Sequence, residues 1–271
     1  MRSHIAFIGG GNMASAIVHG LLGQDYPRER ISIVEPFAEA RDRLTQQFGI
    51  TAQAQAGAFL ESAELVVWAV KPQTFQEAAR QTQAYTRGAL HLSVAAGIPS
   101  QSIARWLGSE RIVRAMPNTP ALIGRGITAF FARDGVQHHD RQQVERVIRS
   151  TGDFLWVDTE EQLDAVTAVS GSGPAYVFYF MEAMMAAGQA MGLSAAQARQ
   201  LTLATFSGAS ELARASDDPP EVLRQRVTSK GGTTHAAISA MDEAGLRAAF
   251  ERALHAARDR ARTLGQEFGA A

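Results

Sequence analysis

Short, mostly apolar runs punctuate the first part of the chain, at 4–8, 31–34, 65–70, 90–93, 112–115, 126–131 and 155–157, and that at 65–70 is apolar throughout. A run apolar at every position, as at 65–70, suits a strand of a parallel sheet covered on both faces. Between them, residues 14–22, 37–47, 57–63, 74–85, 99–108 and 140–150 read as helices. Pro99 and Gly108 bracket one of these in the expected order. Strand followed by helix, repeated, predicts an α/β half with a sheet of about eight strands. After Asp158 no further strand-like run occurs, and every later segment has helical spacing. The pattern therefore predicts two domains, an α/β one over 1–158 and an all-α one over 159–271.

Within the helical part, Thr159-Glu160-Glu161-Gln162 and Ser194-Ala195-Ala196-Gln197 both have the form of a capping box. Ser170-Gly171-Ser172-Gly173-Pro174 is expected to break one helix, with Pro174 placed to start the next. That next helix, 175–191, is apolar nearly all round, through Tyr176, Val177, Phe178, Tyr179, Phe180, Met181, Met184 and Met185. Glu182 at its centre, its glycines and Gln189 keep it below the roughly 20 apolar residues of a membrane span. An all-round apolar helix has to be buried, and a small helical domain has few places to bury it alone. A subunit interface is the expected site.

Candidate chemistry begins at the first strand. Ile8-Gly9-Gly10-Gly11-Asn12-Met13-Ala14 follows it directly and opens a helix. This is a Gly-x-Gly-x-x-Ala fingerprint in the strand-turn-helix setting of a dinucleotide site. Gly9 would make the tight turn, Gly11 would let a pyrophosphate approach, and Ala14 would allow close packing of helix on strand. Glu35 ends the second strand, about where a carboxylate accepts hydrogen bonds from an adenosine ribose. Such a carboxylate repels a 2′-phosphate and leans toward NADH, while Arg41 and Arg43 on the next helix could offset it and admit NADPH. Val70, Lys71 and Pro72 close the third strand, and Ala95, Ala96 and Gly97 follow the fourth. Open α/β sheets bind ligands at this carboxyl edge, and small residues would let a nicotinamide or its ribose lie against the backbone. His138 and His139 fall in a polar helix start and read as solvated surface; no metal site is expected.

In the second half, the stretch from Val227 to Ala236, Val-Thr-Ser-Lys-Gly-Gly-Thr-Thr-His-Ala, is built like a loop that holds an anion. Its glycines allow close approach, and its threonines are expected to cap a helix whose free N–H groups favour negative charge. The half that carries it has no Ser-His-Asp spacing and no lysine patch for phosphate. Hydride transfer needs neither, because a cofactor carries the chemistry and the protein supplies position. A carboxylate is the anion this loop suits best.

Composition narrows the partners more than the fold. A hydrophobic share of 46% and a charged share of 20% are those of an ordinary globular protein. A formal net charge of -1 provides no basic footprint, so no nucleic-acid partner is expected. Cysteine is absent, which removes disulfides, thiolate metal sites and a cysteine nucleophile together. The apolar run after His4 is too short for a signal peptide, and a cytoplasmic protein without a membrane partner is the expectation. Lysine occurs only at Lys71 and Lys230, both inside segments singled out above; a codon preference for arginine accounts for the bias itself.

Taken together, these segments resemble the Δ1-pyrroline-5-carboxylate reductase family. The resemblance runs through Phe-Ile-Gly-Gly-Gly-Asn-Met at 7–13, Ala-Val-Lys-Pro at 69–72 and Met-Pro-Asn-Thr-Pro at 116–120. It continues in Asp-Ala-Val-Thr at 164–167, Ser-Gly-Ser-Gly-Pro-Ala-Tyr at 170–176 and the loop at 227–236, and so covers nearly the whole chain. It implies a Rossmann-type dinucleotide-binding domain followed by an all-α dimerisation domain that interlocks with a second subunit, in homodimers and larger assemblies of dimers. The implied activity is reduction of pyrroline-5-carboxylate to L-proline by NADH or NADPH. By position, the resemblance puts the cofactor on Ile8, Gly9, Gly10, Gly11, Asn12, Met13, Glu35, Val70, Lys71, Pro72, Ala95 and Gly97. It puts the substrate carboxylate on the amides around Gly231, Gly232, Thr233 and Thr234 with Ser229 nearby. The Thr234 hydroxyl then lies near the ring nitrogen as the catalytic group, and Thr167 lies beside the same pocket.

Three positions depart from the family pattern: Ala56 where Asn often contacts the cofactor, Asp217 where Glu often lies near the substrate amine, and Lys230 where Pro is common. None removes a group that hydride transfer needs, and Asp217 is given no catalytic role. Dehydrogenases of the β-hydroxyacid and 6-phosphogluconate type share both halves but resemble one another in a catalytic lysine on the long helix, and 175–191 contains none. Against a non-catalytic nucleotide-binding protein of the same fold stands the intact loop from Ser229 to Thr234.

Overall fold

A computed structural model of the chain describes residues 3–269. Strand β1 (Ile5–Ile8) leads through the glycine turn into α1 (Asn12–Leu22), and β2 (Ile31–Val34) into α2 (Ala38–Phe48). Then come β3 (Leu65–Trp68), α3 (Pro72–Thr82), β4 (Leu90–Ser93), α4 (Ser100–Leu107) and β5 (Ile112–Met116). After these follow β6 (Gly126–Ala132), α5 (His138–Ile148) and β7 (Gly152–Trp156). They form one sheet in the order β2-β1-β3-β4-β5-β6-β7, parallel throughout except for the β5–β6 pair.

The largely apolar runs are explained by the two faces of this sheet. Ile5 and Phe7 of β1 join Ile17, Val67, Phe130 and Val144 on one side, while Ala6 and Ile8 join Val66, Trp68, Phe75 and Ile103 on the other. Successive side chains alternate faces, so a strand buried on both is mostly apolar, and the buried His91 and Ser93 of β4 are exceptions. The sheet has seven strands rather than about eight. The apolar segment at 57–63, expected as a short helix, makes a single 3-10 turn, Ala58–Leu60, that buries Leu60. Strand β3 stops at Trp68, two residues short of the expected end, although the Ala69 amide still donates to the Ile8 carbonyl at 2.8 Å beside the glycine turn. The antiparallel pair follows from the Met-Pro-Asn-Thr-Pro stretch, a short connection that reverses the chain. There Asn118 Oδ1 accepts from the Ile127 amide at 3.0 Å and so opens β6.

One core residue makes stability depend on pH. His91 of β4 is buried, and its Nδ1 accepts from Trp68 Nε1 at 3.1 Å, so the proton sits on Nε2, which has no partner among the described residues. Burial first, then the nearby Arg111 charge, pushes its pKa from 6.5 down to about 4. Above 6.5 folded and unfolded forms are both neutral. As pH falls below that value the unfolded chain binds a proton that the folded chain refuses. Stability should therefore drop by up to about 3 kcal/mol on going from pH 7 to pH 4 through this group. Urea denaturation across that range checks it, and His91→Gln, which keeps an acceptor for Trp68, should lose this part of the slope.

Beyond β7 the described chain contains helices only: α6 (Gln162–Val166), α7 (Gly173–Ala190), α8 (Ala195–Arg214), α9 (Pro220–Arg226), α10 (Thr233–Glu243) and α11 (Leu246–Gly269). Contacts group the chain through Ser172, together with Ala257 onward, into one compact unit, and Gly173–Ala256 into a second. The Ser194 capping box is complete, with Ser194 Oγ accepting from the Gln197 amide at 3.2 Å and Gln197 Oε1 accepting from the Ser194 amide at 2.9 Å. The Thr159 box is half made: Gln162 Oε1 takes the Thr159 amide at 3.0 Å, but Gln162 is itself the first residue of α6. Between α6 and α7 the expected break is a π turn, Thr167–Gly171, in which the Ser172 amide reaches back five residues to the Thr167 carbonyl at 2.8 Å. Helix α7 was expected to be buried, yet in the single chain Val177, Phe178, Tyr179 and Met184 are exposed and only Gly188 is buried. No helix among the described residues is long and apolar enough to cross a membrane.

Candidate active site

The three glycines after β1 have three different physical reasons. Gly9 has φ +95°, and a Cβ there would stand 2.6 Å from the Ala69 carbonyl oxygen, so both its conformation and its neighbour demand glycine. A Cβ on Gly10 would meet Leu44 Cδ1 at 2.6 Å. Gly11 is the N-cap of α1 with an ordinary φ of −73°, and a Cβ there would meet nothing within 4 Å. The protein itself does not need glycine at 11; the open space in front of it is on the ligand side. No side chain caps α1, which leaves its first amides, at Asn12 and Met13, as donors for an anion. Ala14 is fully buried, as close packing of helix on strand requires, and Ile8 is buried behind the turn.

Glu35 ends β2 as expected, but with both oxygens engaged. Oε2 accepts from the Gly10 amide at 2.8 Å and Oε1 from the Phe37 amide at 2.9 Å, in a residue that is buried. The carboxylate braces the glycine turn. Arg41 Nη1 donates to the carbonyls of Glu35 and Pro36 at 3.0 and 2.7 Å, while Arg43 is exposed.

Along the same carboxyl edge, Val70 is half-buried against the core and Lys71 is exposed as the N-cap of α3, with Pro72 in its first turn. The Lys71 carbonyl takes both the amide and the hydroxyl of Thr74 at 3.0 Å. Ala95 is buried, and Gly97 has φ +76° with Leu264 Cβ only 3.2 Å from where its own Cβ would be. Packing against α11 thus explains Gly97, and Ala96 is the residue of this loop left exposed. Ala56 packs on the core. His138 hydrogen-bonds Gln142, and His139 faces Asp140 at 3.2 Å.

Thr167 is the first residue of the π turn, half-buried, and its Oγ1 donates to the Leu163 carbonyl at 2.7 Å, which leaves the oxygen able to accept. Helices widened in this way recur at functional sites. The position of this segment is set by an ion network that spacing does not reveal: Glu160 takes Arg114 Nη1 at 2.5 Å and Ser100 Oγ at 2.6 Å. Burial raises the pKa of the neighbouring Asp164, with the Arg114 and Arg262 charges pulling the other way.

The anion loop lies in the second unit, and its cap differs from expectation. Gly232, not a threonine, is the N-cap of α10, and no side chain caps this helix. Thr233 and Thr234 are its first two residues, so their amides stand at the positive end of the helix. Gly231 takes φ +75°, the Gly232 amide donates to the Ser229 carbonyl at 3.0 Å, and a Cβ on Gly232 would come within 2.6 Å of Ser229 Oγ. Glycine at 232 therefore lets the Ser229 hydroxyl fold over the loop. Thr234 is half-buried, and Ser229, Lys230, Gly231 and Thr233 are exposed. Asp217 is exposed, and it is its neighbour Asp218 that pairs with Arg226, at 2.5 Å.

Comparison with known proteins places both halves. Residues 160–264 match the family described as pyrroline-5-carboxylate reductase dimerisation, and residues 4–97 the family described as NADP oxidoreductase coenzyme F420-dependent. The chain is 42% identical over 267 residues to a pyrroline-5-carboxylate reductase of Pseudomonas aeruginosa, covering 98% of each. Among solved structures, a pyrroline-5-carboxylate reductase from Coxiella burnetii superposes with a TM-score of 0.90 at 37% identity, over 97% of this chain and 99% of that one. The Plasmodium falciparum pyrroline carboxylate reductase, with NADP bound, gives 0.87 at 27% identity over 97% and 98%. Identity at this level along nearly the full length of both chains means that the protein belongs to the pyrroline-5-carboxylate reductase family.

Proposed function

We propose that the protein reduces Δ1-pyrroline-5-carboxylate to L-proline with NADH or NADPH, the last step of proline synthesis. The observation that carries this reading is the near full-length identity to reductases of that name. The residues present fit a dinucleotide, since the space in front of Gly11 and the uncapped head of α1 are features the fold itself does not require. Ile8 to Met13 and the loops at Val70–Pro72 and Ala95–Gly97 would hold it. When bound, the reduced nicotinamide supplies a hydride.

The substrate is held by the chain's own groups. The amides of Thr233 and Thr234, at the head of α10, bind its carboxylate, and Ser229 Oγ adds a further hydrogen bond from beside Gly232. Thr234 Oγ1 contacts the ring nitrogen, and Thr167 lines the substrate site. The hydride adds to C5 of the protonated imine, the C=N pair collapses onto nitrogen, and the ring becomes the secondary amine of proline. Because the iminium is already electron-poor, no strong general acid is required; position and charge suffice.

The exposed apolar face of α7 supports a homodimer, with larger assemblies built from dimers. Phe178→Glu should raise the dimer dissociation constant at least about thirtyfold, the effect of losing a central interface anchor. Sedimentation velocity over a concentration series reads this out, and an unchanged constant would place the interface elsewhere. A cytoplasmic location, without nucleic-acid or membrane partners, goes with this function. The assay for the activity itself is oxidation of NADH and of NADPH in the presence of pyrroline-5-carboxylate; no oxidation of either would overturn the reading.

A further inference from the structure

One carboxylate joins two segments that the catalytic reading uses but leaves unconnected, the loop at Ala95–Gly97 and the π turn that begins with Thr167. Glu160 stands two residues before α6, which runs without a gap into that turn. Its Oε1 accepts from the Ser100 amide and from Arg114 Nη1, both at 2.5 Å, and its Oε2 accepts from Ser100 Oγ at 2.6 Å. Ser100 is fully buried and is the first residue of α4, three residues beyond Gly97. The N-cap of α4, Pro99, has no side-chain oxygen to offer, so Glu160 caps the helix from 60 residues away. The other end of the α6 segment is held by the same strand. Arg114 and Met116 are two apart on β5 and so share a face of the sheet. Arg114 holds Glu160 at the entry to α6, and Met116 Cε lies over Gly171 at the end of the π turn, close enough to leave no room for a Cβ there. Between these two points Leu163 and Ala168 are buried, and Thr167 stays half-buried.

We propose that Glu160 is a positioning residue for the reduction. By holding the head of α4 and the start of α6 on one carboxylate, it sets the distance between the loop for the nicotinamide end of the cofactor and the turn that lines the substrate site. The proposal rests on the reductase reading and on the roles that reading gives to Ala95–Gly97 and Thr167. Hydride transfer is steep in that distance, and a misplacement of about 1 Å costs about a hundredfold in rate. The length of the side chain at 160 should therefore matter more than its charge.

Two variants of the full-length protein separate length from charge. Glu160→Asp keeps the charge and withdraws the carboxylate by one methylene, whereas Glu160→Gln keeps the length, and an oxygen for the Ser100 amide and Arg114, and loses the charge. In Glu160→Asp, kcat should fall at least about tenfold while KM for pyrroline-5-carboxylate and the cofactor dissociation constant stay within about threefold; Glu160→Gln should keep kcat within about threefold. Hydrogen-exchange mass spectrometry without cofactor reads the tie itself. In Glu160→Asp, the amides at 97–102 and at 163–172 should both exchange at least about tenfold faster, with the strands at 5–8 and 65–68 unchanged. A wild-type kcat in Glu160→Asp, a greater loss of kcat in Glu160→Gln than in Glu160→Asp, or faster exchange in only one of the two segments would overturn the proposal. Failure of the wild type to reduce the imine would defeat the reductase reading and the positioning role with it, whereas an active wild type with any of those three results defeats the role alone.

Discussion

Thr234→Ala should lower kcat/KM for pyrroline-5-carboxylate about 10- to 100-fold, with most of the loss in kcat. Thr234 is the second residue of α10, half-buried, behind a helix head that no side chain caps. Its backbone amide survives the substitution, so the carboxylate should still bind and KM should move little. On the proposed placement, what is lost is one hydroxyl at the ring nitrogen. A hydrogen bond to a group that carries charge is worth about 1.5–3 kcal/mol, which is the range quoted above as a rate. Thr234→Ser, which keeps the hydroxyl, should recover most of the activity. Equal rates for the alanine variant and the wild type would remove Thr234 from the chemistry while leaving the carboxylate cradle in place.

The second large effect separates two glycines that look alike in the motif. Gly9→Ala places a Cβ at φ +95° and 2.6 Å from the carbonyl oxygen of Ala69, a backbone atom that cannot swing aside. Left-handed strain of about 1–2 kcal/mol adds to the clash, so the variant should lose about 2–4 kcal/mol of stability and bind cofactor at least tenfold more weakly. Gly11→Ala should behave in the opposite way. It has an ordinary φ and no neighbour within 4 Å, so stability should change by less than about 0.5 kcal/mol while cofactor binding still falls at least tenfold. Urea midpoints alongside cofactor titrations distinguish them. If Gly11→Ala bound cofactor normally, the pyrophosphate would not pass over that glycine.

These contrasts also mark how far the residues alone could be read. Strands were legible because a sheet covered on both faces keeps its strands mostly apolar, and the runs at 4–8, 31–34, 90–93 and 112–115 each contain a strand despite Ser32, His91, Ser93 and Arg114. The end of β3 was not, since Ala69 and Val70 are as apolar as the strand before them and lie beside the glycine turn only in the folded chain. Residue type pointed to a threonine cap at the anion loop, whereas the chain caps α10 with Gly232 and lets Ser229 fold over it. The segment at Ser170 had every mark of a break, yet a π turn differs from a break only in which backbone carbonyl an amide finds.

Side-chain partners were the least legible of all. Glu35 stood at the right distance from the glycines, but that its carboxylate braces Gly10 and Phe37 follows only from the folded turn. Gly97 looked like room for a cofactor and is also required by Leu264, far along the chain. Helix α7 was read as buried, whereas Val177, Phe178 and Tyr179 are exposed in the single chain. In each case the residue type announced a constraint, and the identity of the neighbour came from tertiary structure.

The most direct test of the proposed chemistry is to follow the hydride itself. The protein is incubated with pyrroline-5-carboxylate and NADH or NADPH deuterated at the transferred position of C4, and the product is analysed by mass spectrometry and proton NMR. The account predicts L-proline carrying one deuterium at C5, formed in equal amount to the oxidised cofactor. Proline without deuterium, or cofactor oxidation without proline, would contradict it.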